Sequence, residues 1–95
     1  MIKVFVEERV EKALANIYKS NKKAAKKITL FINERLPNAE NPYTLPNCKK
    51  MKNYENYYRW RLGDYRIIGI VIDGKPHIIQ IIKIAKRDES TYKGL

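Results

Sequence analysis

Three arginines fall close together in the run Tyr57-Tyr58-Arg59-Trp60-Arg61-Leu62-Gly63-Asp64-Tyr65-Arg66. The run reads as a strand, a tight turn at Gly63-Asp64 and a second strand. With two residues in the turn, Leu62 faces Tyr65, Arg61 faces Arg66 and Trp60 faces Ile67. Side chains at i and i+2 share a strand face, so Arg59 joins Arg61 and Arg66 on one side. Like charges opposed in a sheet repel each other. Three guanidinium groups gathered on one face imply an anion to hold. RNA phosphate is the leading candidate, because guanidinium grips phosphate through two parallel hydrogen bonds.

RNA is cut without metal when its own 2′-hydroxyl attacks the adjacent phosphate. A protein doing this must position the nucleotide, neutralise charge developing on phosphorus and move protons. Arg61, Arg66 and Arg87 are the candidates for the charge. Tyr92 is the candidate for stacking on a base or passing a proton. Arg59, Lys52, Lys83 and Lys86 are candidate RNA contacts, and Lys52 or Lys86 would titrate if desolvated. No phosphate-binding loop, metal-ligand spacing or Ser/His/Asp arrangement competes, so neither metal nor cofactor is expected. His77, at a hairpin end after Pro76, reads as a surface residue rather than an acid–base group. Tyr57, Tyr58 and Tyr65 read as packing residues before base platforms. Trp60 alternates away from the arginines and reads as core. For Arg61 and Arg66 the plain alternative is pairing with acids, but the one acid of the hairpin, Asp64, lies in its turn.

The elements that must carry these residues follow from periodicity. Residues 2–6 read as a short strand. Residues 7–19 read as a helix with Val10, Leu14, Ile17 and Tyr18 on one stripe, acids at its start and Lys19 near its end. Ser20-Asn21 offers a cap for a second helix over about 22–36, with a stripe of Ala24 or Ala25, Ile28, Phe31, Ile32 and Leu36. Two such helices joined by so short a link predict an antiparallel hairpin. Pro37 and Pro42 end it and open a loop. Residues 43–56 are polar, with a weak strand around 49–52 and Leu45, Met51 and Tyr54 as anchors to the core. Strands follow over about 57–62, 65–72 and 77–84, the middle one apolar on both faces and therefore central. Gly69 within it implies a bulge or a close backbone approach. The expectation is an α+β domain spanning residues 1–95. Its order is β-α-α-β-β-β, with a strand and helix hairpin packed on a twisted antiparallel sheet whose other face is open.

Charge supports the reading of the arginines. The 95 residues carry 20 Lys and Arg against 10 Asp and Glu, a formal net charge of +10. That excess points to a polyanionic partner; the plainer reading is a basic surface that aids solubility. Lys22, Lys23, Lys26 and Lys27 at the start of the second helix are either a solvated face or part of the same contact surface. Hydrophobic residues at 44% are enough for a folded core. Cys48 is the one cysteine, so no internal disulfide forms, and it reads as a half-buried thiol. No apolar run approaches the roughly 18 residues of a membrane span. The short N-terminal apolar run does not read as a signal peptide, which makes a cytoplasmic location the expectation.

At these residues the chain resembles the RelE/ParE superfamily of bacterial toxins from toxin–antitoxin modules. The resemblance rests on Tyr58-Arg59-Trp60-Arg61-Leu62-Gly63-Asp64-Tyr65-Arg66-Ile67-Ile68, the hairpin Val71-Ile72-Asp73-Gly74, and the tail Ile84-Ala85-Lys86-Arg87 followed by Tyr92. The segment Leu45-Pro46-Asn47-Cys48-Lys49-Lys50-Met51-Lys52 resembles the family's loop before the central strands. The resemblance implies a compact α+β fold and a cognate antitoxin as partner. RelE-like members cut mRNA, usually in the ribosomal A site, whereas ParE-like members inhibit DNA gyrase and tend to lack the basic and tyrosine residues used for cleavage. Here Arg66 matches the arginine after the hairpin turn, Arg87 the arginine after the last strand and Tyr92 the C-terminal tyrosine. Arg59 and Arg61 stand where RelE has two lysines. Arginine does not give up its proton at neutral pH. The general base is then Lys52, Lys86 or the ribosomal RNA itself. The spacing from Arg87 to Tyr92 is one residue shorter than in RelE. The implied function is a ribosome-dependent, metal-independent endoribonuclease toxin. The alternatives are a gyrase inhibitor and an RNA-binding module that does not cut.

Overall fold

The computed structural model describes residues 2–72 and 74–87. Strand β1 (Lys3–Val6) leads into helix α1 (Glu8–Ser20) and helix α2 (Lys22–Leu30). Strands β2 (Cys48–Lys50), β3 (Tyr57–Leu62), β4 (Tyr65–Ile72) and β5 (Lys75–Lys86) follow. The helices pack as a hairpin against a five-stranded sheet of order β1-β5-β4-β3-β2. The segment from β2 to β5 is antiparallel, as its short connections require, and β2 is the weak strand foreseen before the hairpin. β1 departs from the antiparallel expectation and pairs parallel to β5. No turn links these two strands, so local chain geometry does not set their direction.

The hairpin forms where its stripe predicts. Asn21 caps α2 by accepting a hydrogen bond from the Ala24 amide at 3.1 Å. Ala25, Ile28, Phe31, Ile32 and Leu36 are buried, and Val10 of α1 joins them. Tyr18 departs from its stripe: it is about half exposed, with the Lys22 ammonium 5.4 Å from its ring centre. Pro37 does not stop the helical path before itself. The helix widens into a π turn over Phe31–Arg35, and the path closes over Leu36–Asn38. In the wide turn the Leu36 amide donates to the Phe31 carbonyl, five residues back. That register relieves the clash a proline ring makes with the i−4 carbonyl of a regular helix.

The core lies between the helices and one sheet face. Trp60, Ile67, Ile79 and Ile81 meet Val10, Ile28, Phe31 and Leu36 there. Trp60 is fully buried, and its indole Nε1 donates to the Pro42 carbonyl at 3.0 Å. Gly69 is both of the things its position implied. A Cβ there would come within 2.9 Å of the Ile79 Cγ2 and 3.0 Å of the Trp60 ring. The β4–β5 register also slips beside it, between Ile68↔Lys83 and Gly69↔Ile81, leaving Ile82 as an extra residue in β5. A second, smaller apolar cluster of Met51, Ile68 and Ile82 forms on the other face of the sheet.

Candidate functional site

The β3–β4 turn has the register its two residues dictate: Leu62↔Tyr65, Arg61↔Arg66 and Trp60↔Ile67. Gly63 takes φ +56°, which suits glycine at no steric cost. Because Trp60 and Ile67 lie in the core, alternation sends Arg59, Arg61 and Arg66 to the sheet face away from the helices. Lys49 of β2, opposite Arg59, adds a further cation to that face. Asn47 clamps the Arg61 backbone: its carbonyl accepts from the Arg61 amide at 2.9 Å, and its side-chain Nδ2 donates to the Arg61 carbonyl at 3.0 Å. This clamp was not foreseen; an asparagine beside a strand start gives no distinctive signal in a sequence.

Arg59, Arg61 and Arg66 form no ion pair among the described residues. Arg66 goes further. Its Nη1 is buried from solvent with no hydrogen-bond partner among the described residues. A buried guanidinium nitrogen left unpaired is costly, and an anion bound against it would remove that cost. Arg87 differs. Its amide donates to the Asp64 carbonyl at 2.6 Å, and its Nη1 lies 3.9 Å from the Asp64 carboxylate. Both side chains are about two-thirds or more exposed, so water screens this long contact and it holds the guanidinium weakly.

The bulge at Ile82 decides which side chains of β5 join the arginines. Beyond it Lys83 faces Ile68, Ala85 faces Arg66, and continued alternation puts Arg87 on their side. Lys86 pairs with Tyr65, a core residue, and so falls on the helix side of the sheet. Lys86, expected among the RNA contacts, thus falls on the side of the sheet away from the arginines; without the extra residue, alternation would place it beside them. Lys52 lies exposed in the loop after β2. Tyr92 lies outside the described residues.

The remaining candidates resolve simply. His77 is exposed at the start of β5. Tyr65 is buried, and Tyr58 packs on the helix side between Tyr43 and Trp60, 4.8 and 6.4 Å from their ring centres. Burial raises the Tyr43 hydroxyl above its ordinary range, and that hydroxyl donates to the Pro76 carbonyl. Cys48 sits opposite Trp60, and burial pushes its thiol up to about 11, so it carries almost no thiolate at neutral pH. Tyr57 is on the arginine face with Tyr54 beside it, a placement alternation alone left ambiguous with packing. No three His, Cys, Asp or Glu side chains converge on a metal-sized site among the described residues. No helix among them is long and apolar enough to cross a membrane.

Fold and face together define a class. The structure resembles the RelB–RelE antitoxin–toxin complex from Methanococcus jannaschii, with TM-score 0.68 and 28% identity over 87% of this chain and 89% of that one. It also resembles the archaeal RelE–RelB complex from Pyrococcus horikoshii, with TM-score 0.59 and 26% identity over 94% and 98%. The YoeB–YefM complex from Staphylococcus aureus shares the fold, with TM-score 0.63 and 20% identity over 88% and 94%. Among curated proteins none matches. These are type II toxin folds of the RelE/ParE superfamily. The family described as the ParE toxin of the type II toxin–antitoxin system parDE matches residues 4–91, and the chain belongs to it.

Proposed function

We propose that this toxin is an endoribonuclease that cuts mRNA on the translating ribosome. The observation that carries the reading is the opposed pair Arg61 and Arg66, which meets no acid among the described residues, with a buried Arg66 nitrogen that has no hydrogen-bond partner among them. In this reading the message's 2′-hydroxyl attacks the neighbouring phosphorus. Arg61 and Arg66 bind the non-bridging oxygens and oppose the charge that grows on them in the transition state. Arg87 exchanges its loose contact with Asp64 for the phosphate. Arg59, Lys49 and Lys83 hold the flanking backbone. Tyr92 stacks on a nucleotide or protonates the leaving oxygen. Arginine cannot serve as general base, Lys86 faces the helices and Lys52 lies exposed, so the proton passes to a group of the ribosomal RNA, or to Lys52 where the docked message shields its amine from water. None of these steps requires a metal ion. A cognate antitoxin with acidic and apolar residues would silence the toxin by covering this face or the helix hairpin.

The test is a translating extract with the ends of the message mapped by primer extension. Wild type should produce new 5′ ends within codons, and Arg66→Ala should not, at unchanged folding. Undiminished cleavage by Arg66→Ala would remove the basis for this assignment. The family match favours a second reading, inhibition of DNA gyrase. Loss of supercoiling activity with no new RNA ends would establish that one instead.

A further inference from the structure

We propose that Tyr57, walled by Tyr54, is the seat for an unpaired base of the same RNA strand whose phosphates meet Arg59 and Arg61. The inference rests on the ribonuclease reading above and names the form of RNA that the face takes. Tyr57, Arg59 and Arg61 stand at i, i+2 and i+4 of β3, so one ring and two guanidinium groups share a face at intervals of about 7 Å. Tyr57 is half-buried against the small cluster of Met51, Ile68 and Ile82, with Ile70 opposite it. That cluster supports the ring from below.

Tyr54 is brought to it by a purpose-shaped loop. The Met51 amide donates to the Tyr57 carbonyl at 2.9 Å, and the Asn56 carbonyl accepts from the Val71 amide at 2.8 Å. Asn53 and Asn56 turn the chain through left-handed φ values of 68° and 64°, which asparagine tolerates better than most residues. The result sets the two rings 5.2 Å apart at 47°, a floor and a tilted wall. Tyr58 and Tyr65, the other tyrosines of the hairpin, face the core.

An aromatic ring beside a row of cations is the pattern that takes single-stranded nucleic acid: the cations track the backbone and the ring stacks a base of any identity. A paired strand keeps its base faces inside the helix and offers the ring nothing. The seat therefore selects an unpaired nucleotide, positioned so that its neighbouring phosphate lies over Arg59 and Arg61. Tyr57 acts here as a positioning residue.

The experiment measures binding of a seven-nucleotide RNA with 2′-O-methyl riboses, which cannot be cut, and of the same oligomer made abasic at each position in turn. Tyr57→Leu should weaken the intact oligomer about tenfold, and Tyr57→Phe should bind within about twofold of wild type. The oligomer lacking the seated base should bind wild type and Tyr57→Leu equally. Equal weakening of every oligomer by Tyr57→Leu, or weakening of none, would overturn the seat. A second measurement needs no variant: 2-aminopurine placed along the oligomer should be quenched at one position on wild type, and fluorescence unchanged at all positions would overturn the seat as well. Base-dependent binding without mapped cuts would leave the seat standing and sink the nuclease reading. Mapped cuts with no base coupling would sink the seat alone.

Discussion

Arg61 and Arg66 are direct cross-strand neighbours one pair away from the β3–β4 turn, and neither meets a carboxylate among the described residues. Two opposed cations cost stability in the free protein. Arg61→Gln should therefore leave the isolated toxin as stable as wild type or more stable by up to about 1 kcal/mol, measured by urea unfolding. The same change should lower the rate of mRNA cleavage at least about 100-fold, the usual loss when one donor to a developing oxyanion is removed. A variant that lost stability and kept its activity would contradict both halves of the argument.

The contact between Arg87 and Asp64 separates a structural role for Arg87 from a phosphate role. At 3.9 Å and largely exposed, the ion pair contributes little to stability. Asp64→Asn should shift the free energy of unfolding by no more than about 0.5 kcal/mol and leave cleavage intact. Arg87→Ala should abolish cleavage at similarly small cost to folding. Parallel losses of activity in both variants would show that the pair itself matters, and would withdraw Arg87 from the phosphate.

Gly69→Ala should be damaging for a different reason. The added methyl would lie 2.9 Å from the Ile79 side chain and 3.0 Å from the fully buried Trp60 ring. Overpacking of this kind costs about 1–3 kcal/mol. Chemical denaturation should show a lower midpoint, and a neutral result would mean that the bulge beside Gly69 absorbs the methyl.

Binding of RNA should depend steeply on salt. With three or four phosphates engaged by Arg59, Arg61, Arg66 and Arg87, the logarithm of affinity should fall against the logarithm of salt concentration with a slope of about −2 to −3. A slope near zero on single-stranded RNA would mean that the positive charge of the chain serves another purpose.

Cys48 should be slow to react. Burial raises its thiol to about 11 from an ordinary value near 9, which favours the neutral form at every pH below that. Alkylation by iodoacetamide at pH 7 should run about 100-fold slower than for an exposed cysteine and accelerate as pH climbs toward 11. Cys48→Ala should retain cleavage. Rapid alkylation at neutral pH would show that the thiol is not held in the folded chain as described.

Much of this was legible before the fold was known, and the reasons are local. The Gly63-Asp64 turn is short enough to dictate the pairing of Arg61 with Arg66, and strand alternation then assigns Arg59 and Trp60 to opposite faces. Helix periodicity marked Ile28, Phe31, Ile32 and Leu36 for burial, and hydrophobic transfer put them there. The side of the sheet on which Lys86 falls was not legible, because one extra residue in a strand inverts the facing of all that follows, and a bulge beside a glycine has no fixed position in a sequence. The direction of β1 was equally out of reach, since no turn ties it to β5.

The chain by itself thus determined which charges stand together, because that depends on two-residue periods and a turn of fixed length. The tertiary structure alone decided what surrounds them. It buried one nitrogen of Arg66 with no partner among the described residues, gave Arg87 a loose acid, turned Lys86 away and folded Tyr54 onto Tyr57. Such outcomes depend on contacts between segments distant along the chain, where packing and solvent exclusion, rather than local backbone preference, set the energy.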